Sequence, residues 1–206
     1  MKKRDNVYAY MYGGNIYVNL TNRCCNNCTF CLRNTGDGVS GNVLWLEKEP
    51  TADEAKAAVG KLVEENRDAS EVVFCGYGEP TYKMKEMLEV ASFAHEKGLK
   101  TRLNTNGLGS LVNKRDITPE LKGAIDTVSV SLNESSAEKY DSVCKSVYGA
   151  AAFDELKDFA AKCVSLGIDT VMSVVDVIGE DAVKECSEIA KECGARLRVR
   201  RYEPKW

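Results

Sequence analysis

The chain has 206 residues, 44% apolar and 29% charged, with a net charge of −3. That length suffices for one domain with a real core, and the balance is that of an ordinary globular protein. It excludes the basic footprint of a nucleic-acid or anionic-lipid binder, and no run approaches the ~20 apolar residues of a membrane span.

The opening Met1-Lys2-Lys3-Arg4 is basic, but no apolar run follows it, so no signal peptide is expected. Nine cysteines, an odd number without a secretory signal, point to a reducing cytoplasm and not to a disulfide framework. Cys75, Cys144, Cys163, Cys186 and Cys193 are scattered singly and read as small buried hydrophobes. No linker or low-complexity segment divides the chain, which reads as a single domain over residues 1–206 with its core at about 15–202.

The first predicted strand covers about Asn15 to Leu20. The cysteine stretch Cys24–Cys31 follows, then a long polar loop from Arg33 to Pro50 with an apolar island at Val43-Leu44-Trp45-Leu46. A loop of that length in a compact domain is functional or mobile. Thr51 reads as a helix N-cap, with Asp53 and Glu54 in a first turn that suits the helix dipole. That helix runs to about Asn66. Glu71–Cys75 is a short buried strand that breaks at Gly76, and a helix from about Met84 to Lys97 stops at Gly98. A strand over Lys100–Asn104, a short helix over Pro119–Ile125 and a strand over Thr127–Leu132 come next. Helices at about Ala137–Lys145 and Ala151–Ser165, a strand at Thr170–Val175, a helix at Asp181–Glu192 and a strand at Arg196–Arg200 complete the series. Six strands alternating with helices predict a parallel α/β sheet with right-handed crossovers.

The chemistry gathers just past the strands, where βα folds form their sites. Cys24, Cys28 and Cys31 stand in the order C-x3-C-x2-C after the first strand. Three thiolates so close together are soft ligands that favour an iron–sulfur cluster, zinc or copper(I). Structural zinc takes four closed ligands, and the adjacent Cys25 is a poor joint ligand for one tetrahedral ion. A [4Fe–4S] cluster on three cysteines keeps one iron open to a small molecule. Gly76-Tyr77-Gly78-Glu79-Pro80 follows the second strand, Asn104 and Asn106-Gly107 the third, Ser131 and Asn133 the fourth. Asp176 ends the fifth, and Arg200, Arg201 and Tyr202 the sixth.

The C-x3-C-x-aromatic-C order on the first βα loop, followed by Gly-Glu-Pro after the second strand, resembles the radical S-adenosylmethionine (SAM) superfamily. More narrowly, Leu20-Thr21-Asn22-Arg23-Cys24, Leu44–Pro50 and Phe74–Pro80 are similar to the small radical SAM proteins associated with TatD-type nucleases. The resemblance implies a partial (β/α)6 TIM-like barrel with one [4Fe–4S] cluster on Cys24, Cys28 and Cys31, and SAM on the open iron. It implies cleavage of SAM to methionine and a 5′-deoxyadenosyl radical that abstracts hydrogen from an unidentified substrate. It further implies an electron donor such as flavodoxin or ferredoxin, and an open barrel suited to a large or macromolecular substrate. For SAM, Phe30 matches an aromatic position near the adenine. Gly76, Tyr77, Gly78 and Glu79 match the segment that receives the methionine amino group, Asn104 a contact to the methionine part and Ser131 one to the ribose. Lys145 is the cation nearest to where some relatives carry an arginine for the SAM carboxylate. Two other readings stand beside this one: a glycyl-radical-enzyme activase, and a non-catalytic zinc- or cluster-binding module. Strand alternation puts Arg198 and Arg200 on one side of the last strand, where at least one is expected to bind an anionic substrate group or the SAM carboxylate. His95 reads as a surface histidine.

Overall fold

The structure is a computed structural model that describes residues 6–34 and 38–202. The chain divides into two compact units, one of residues up to Cys24 with Leu32–Leu103, the other of Cys25–Cys31 with the residues from Asn104 on.

In the first unit the chain enters through a hairpin of β1 (Ala9–Tyr12) and β2 (Asn15–Val18), paired antiparallel. Gly13 and Gly14 both hold positive φ, 55° and 80°, the backbone that a two-residue hairpin turn demands. The sequence reading missed β1 although the Gly-Gly pair signals it, so the described residues carry one strand more than expected. β3 (Glu71–Phe74) and β4 (Lys100–Thr105) follow in parallel, with Ile16 beside Val72 and Val18 beside Phe74. Val72, Val73 and Phe74 are fully buried, as expected for a strand covered on both faces. Between these strands run α1 (Ala52–Glu65), which packs on β1 and β2, and α2 (Met84–Glu96), which packs on α1 and β3. α2 buries Met87, Val90, Ala91 and Ala94, a helical-period stripe. Each such apolar side chain larger than alanine contributes roughly 1.5–3 kcal/mol on burial.

Residues 35–37 of the long loop lie outside the described residues. Its apolar island is anchored in the core by two of its four residues: Leu44 and Leu46 are buried, Val43 is half-buried and Trp45 exposed, and Val39, Leu44, Tyr10 and Tyr77 form one cluster. Two asparagines at the end of β2 hold it there. Asn19 Nδ2 donates to the Leu44 carbonyl at 2.7 Å, and Asn22 pairs both ways with the Leu46 backbone at 2.8 and 3.0 Å.

In the second unit, α3 (Gly109–Asn113) and α4 (Thr118–Leu121) precede β5 (Thr127–Ser131). α5 (Ala137–Cys144), α6 (Ala151–Ser165), β6 (Asp169–Val175), α7 (Glu180–Glu192) and β7 (Arg196–Arg200) follow. α3 was not foreseen. β5, β6 and β7 pair in parallel; α6 packs on β5 and β6, and α7 on β6 and β7. A Cβ placed on Gly107 would meet Val130 at 2.9 Å and Leu156 of α6 at 2.8 Å, so Val130 points at the helix layer. By alternation Ser129 and Ser131 point the other way.

Candidate functional site

The cysteine stretch leaves β2 at a packed corner. Gly76 lies against the Asn19 side chain, which a Cβ would overlap at 2.1 Å. A Cβ on Gly78 would lie 2.3 Å from the Thr21 carbonyl oxygen and 2.6 Å from that of Arg23. The Glu79 amide donates to the Arg23 carbonyl at 2.8 Å. Gly76 therefore makes room for the Asn19 side chain, and Gly78 for the backbone that roots the cysteine stretch. Glu79 is not an exposed turn residue, being only 3% exposed. Its Oε1 accepts from the Thr81 amide at 3.2 Å and the Thr81 hydroxyl at 2.8 Å. Tyr77 turns away into the cluster under the long loop, with its ring edge-on to Trp45 at 5.2 Å between centroids.

Cys25–Cys31 is laid across the C-terminal end of α5. The Asn27 amide donates to the Cys144 and Lys145 carbonyls, and the Thr29 amide to the Val143 carbonyl at 2.9 Å. The Val147 amide donates back to the Cys25 carbonyl. These bonds satisfy carbonyls that a helix end leaves without intrahelical partners. Asn26 Nδ2 donates to the Tyr140 hydroxyl at 3.0 Å, and Asn106 Nδ2 to Cys25 Sγ at 3.2 Å.

Burial sorts the nine thiols. Cys24, Cys28, Cys31 and Cys75 are half-buried, whereas Cys25, Cys144, Cys163, Cys186 and Cys193 are buried. Burial pushes the Cys163 thiol up to about 12 and the Cys186 thiol to about 11, so both stay protonated at neutral pH. Cys144 differs. A hydrogen bond with the Cys28 thiol, helped by the Asn133 amide at 3.3 Å and the Tyr140 hydroxyl, holds it below the usual thiol value despite burial. The strand-end placement pointed to Asn133, but nothing in the sequence pointed to Cys144 or Tyr140 as neighbours of the cysteine stretch.

The remaining expected residues are placed as follows. Phe30 is 49% exposed, so loop packing does not account for its ring. Asn104, near the end of β4, carries a buried Oδ1 with no hydrogen-bond partner. Ser131 ends β5, half-buried, beside Ser173 of β6. Lys145 caps α5 in the left-handed conformation with φ 46° and is exposed. Arg198 and Arg201 are exposed and Arg200 is half-buried; His95 is exposed and bonds Thr101 at 3.2 Å. Among the described residues no three His, Cys, Asp or Glu side chains stand in a metal-holding arrangement, and no helix is long and apolar enough to cross a membrane.

Three observations fit a thiolate-held cluster with an amine-bearing ligand. The cysteine donors suit iron–sulfur chemistry and belong to half-buried residues. An accessible aromatic ring stands directly before the last of them. The orphaned Asn104 oxygen lacks a donor, which an amino or hydroxyl group would supply.

The family profile described as the radical SAM superfamily matches residues 18–193. The chain is 32% identical over 116 residues to Fe-coproporphyrin III synthase of Methanosarcina barkeri, which covers 56% of this chain and 26% of that protein. Among solved structures it is similar to a radical SAM methyltransferase from Sphaerobacter thermophilus, with a TM-score of 0.65 and 17% identity over 94% of this chain and 57% of the other. It is also similar to Streptococcus suis SuiB bound to S-adenosylmethionine, with a TM-score of 0.62 and 15% identity over 92% and 39%. The chain thus spans only about a quarter of that curated relative's length. The fold is the TIM-like α/β type of these structures.

Proposed function

The chain belongs to the radical SAM superfamily, and from that premise we propose that it is a SAM-cleaving radical enzyme. Cys24, Cys28 and Cys31 would hold one [4Fe–4S] cluster. Bound there, the cluster would deliver one electron to the sulfonium of SAM, which gives methionine and a 5′-deoxyadenosyl radical able to take a hydrogen atom from a substrate. The chain's own residues bind and orient. Phe30 offers its ring to the adenine, the Gly76–Glu79 backbone and Asn104 Oδ1 accept from the methionine amino group, and Ser131 meets the ribose. Lys145 is the cation offered to the carboxylate, and a lysine makes a point contact there where an arginine would make a fork. The electron would come from a flavodoxin- or ferredoxin-like donor.

One observation carries this reading: within the matched segment, the three cysteines of the motif keep half-buried, reachable thiols while five of the other six are buried. The experiment is anaerobic reconstitution with iron and sulfide, followed by reduction in the presence of SAM. About four irons per chain, a visible iron–sulfur chromophore and formation of 5′-deoxyadenosine are expected. All three should be lost in a variant with serine at positions 24, 28 and 31. A colourless protein with a single zinc, or a loaded protein that leaves SAM intact, overturns the proposal.

A further inference from the structure

The second unit carries a polar row that none of these roles uses beyond its first member. Ser131 of β5, Ser173 of β6 and Arg198 of β7 are register partners in turn. Neighbouring strands lie about 4.8 Å apart and register partners share a face. Val130, one residue before Ser131, points at the helix layer, so the row lies on the face turned away from the helices. It also sits toward the C-terminal ends of the strands, where βα folds place their ligands.

What singles the row out is its lack of internal partners. Ser173 is only 3% exposed, yet among the described residues its hydroxyl takes part in no hydrogen bond. A hydroxyl left without an internal partner is free to bond water or a ligand. Arg198 forms no ion pair among the described residues, whereas Arg196, two residues earlier on the same face, is held at 2.8 and 2.9 Å by both carboxylate oxygens of Asp169. The paired arginine has a structural task as a cross-strand tie. The next one along has none, and the nearest polar group in its row is the buried Ser173.

We propose that Ser173 and Arg198 form an oxyanion subsite that anchors a carboxylate or phosphate group of the substrate, next to the ribose contact assigned to Ser131. Arg198 supplies the charge and paired N–H donors that suit planar oxyanions, and Ser173 supplies one neutral donor from the sheet floor. The subsite takes a substrate with at least one anionic group, held at a fixed distance from the strand ends. This assignment rests on the enzymatic reading above only for the word substrate; the anion site itself is a property of the fold.

The test is binding of inorganic phosphate and, separately, of succinate to the reconstituted protein, followed by calorimetry and by amide chemical shifts. Three variants are compared with the unaltered chain: Arg198→Gln, Ser173→Ala and Arg201→Gln. The expected result is saturable one-to-one binding of at least one anion, weakened about tenfold or more by Arg198→Gln and a few-fold by Ser173→Ala. Arg201→Gln, an exposed cation just outside the strand, should stay within about twofold of the unaltered chain. The stronger of the two anions identifies the substrate group as carboxylate or phosphoryl. Equal loss in the Arg198 and Arg201 variants, no loss in Arg198→Gln, or no saturable binding of either anion overturns the proposal. 5′-Deoxyadenosine formation, read on the same preparations, separates the two ideas: its absence with anion binding intact sinks the enzymatic reading alone.

Discussion

At position 78 the methyl group of an alanine would press on the carbonyl oxygens of Thr21 and Arg23, 2.3 and 2.6 Å away. Both neighbours are backbone, so no rotamer change relieves the overlap and the corner itself must open. Gly78→Ala is expected to cost about 2–3 kcal/mol in urea unfolding, and to lower iron loading because it displaces the root of the cysteine stretch. Gly60 in α1 is the control. There a Cβ meets only the Phe93 ring at 3.4 Å, and its φ is ordinary. Gly60→Ala should therefore stabilise by about 0.5–1 kcal/mol through helix propensity. Equal stability of the two alanine variants would show that the corner is not tightly packed. The glycine at position 78 was legible as part of the Gly-Glu-Pro segment; that its missing side chain makes room for the backbone of Thr21 and Arg23 was not, because that contact exists only in the fold.

Among the elements, α1 was the most legible because local chemistry alone specifies its start. The Thr51 hydroxyl accepts from the Glu54 amide at 3.2 Å, and Glu54 returns the bond to the Thr51 amide at 2.9 Å, a reciprocal capping box. Removing the hydroxyl in Thr51→Ala should cost about 1 kcal/mol. Lys48, with help from the Thr51 backbone, holds the Glu54 carboxyl down to about 2 from its ordinary 4.5. A lowered value means that the unfolded chain binds this proton more readily. The contribution is thus complete above about pH 4.5 and fades as pH falls toward 2. Glu54→Gln should flatten that part of the stability profile; an unchanged slope would show that the pair does not persist in solution. β1 was lost for the opposite reason. Its four residues are too few for a clear alternation, and only the Gly13-Gly14 turn betrays the hairpin. α3, at five residues, offers no helical period to read.

Across the molecule, what the sequence revealed of the site is what lies contiguous in it. The cysteine order, Phe30 and the Gly-Glu-Pro segment could be read directly. The seating of the cysteine stretch on α5 could not, because Asn26 and Tyr140 are 114 residues apart and only the fold brings them within 3.0 Å. The same distinction governs the thiols, whose burial depends on the whole fold. A thiol reacts with a disulfide reagent when it is both reachable and able to ionise. In the metal-free native protein Cys24, Cys28, Cys31 and Cys75 should react fast, and the other five only after unfolding. Loading the cluster should remove three of the four fast thiols and leave Cys75. The Ser-substituted triple variant should show one fast thiol with or without iron. If reconstitution leaves all four reactive, the metal sits elsewhere. If it protects Cys75 together with the motif cysteines, the ligand set is larger than the three positions assigned to it.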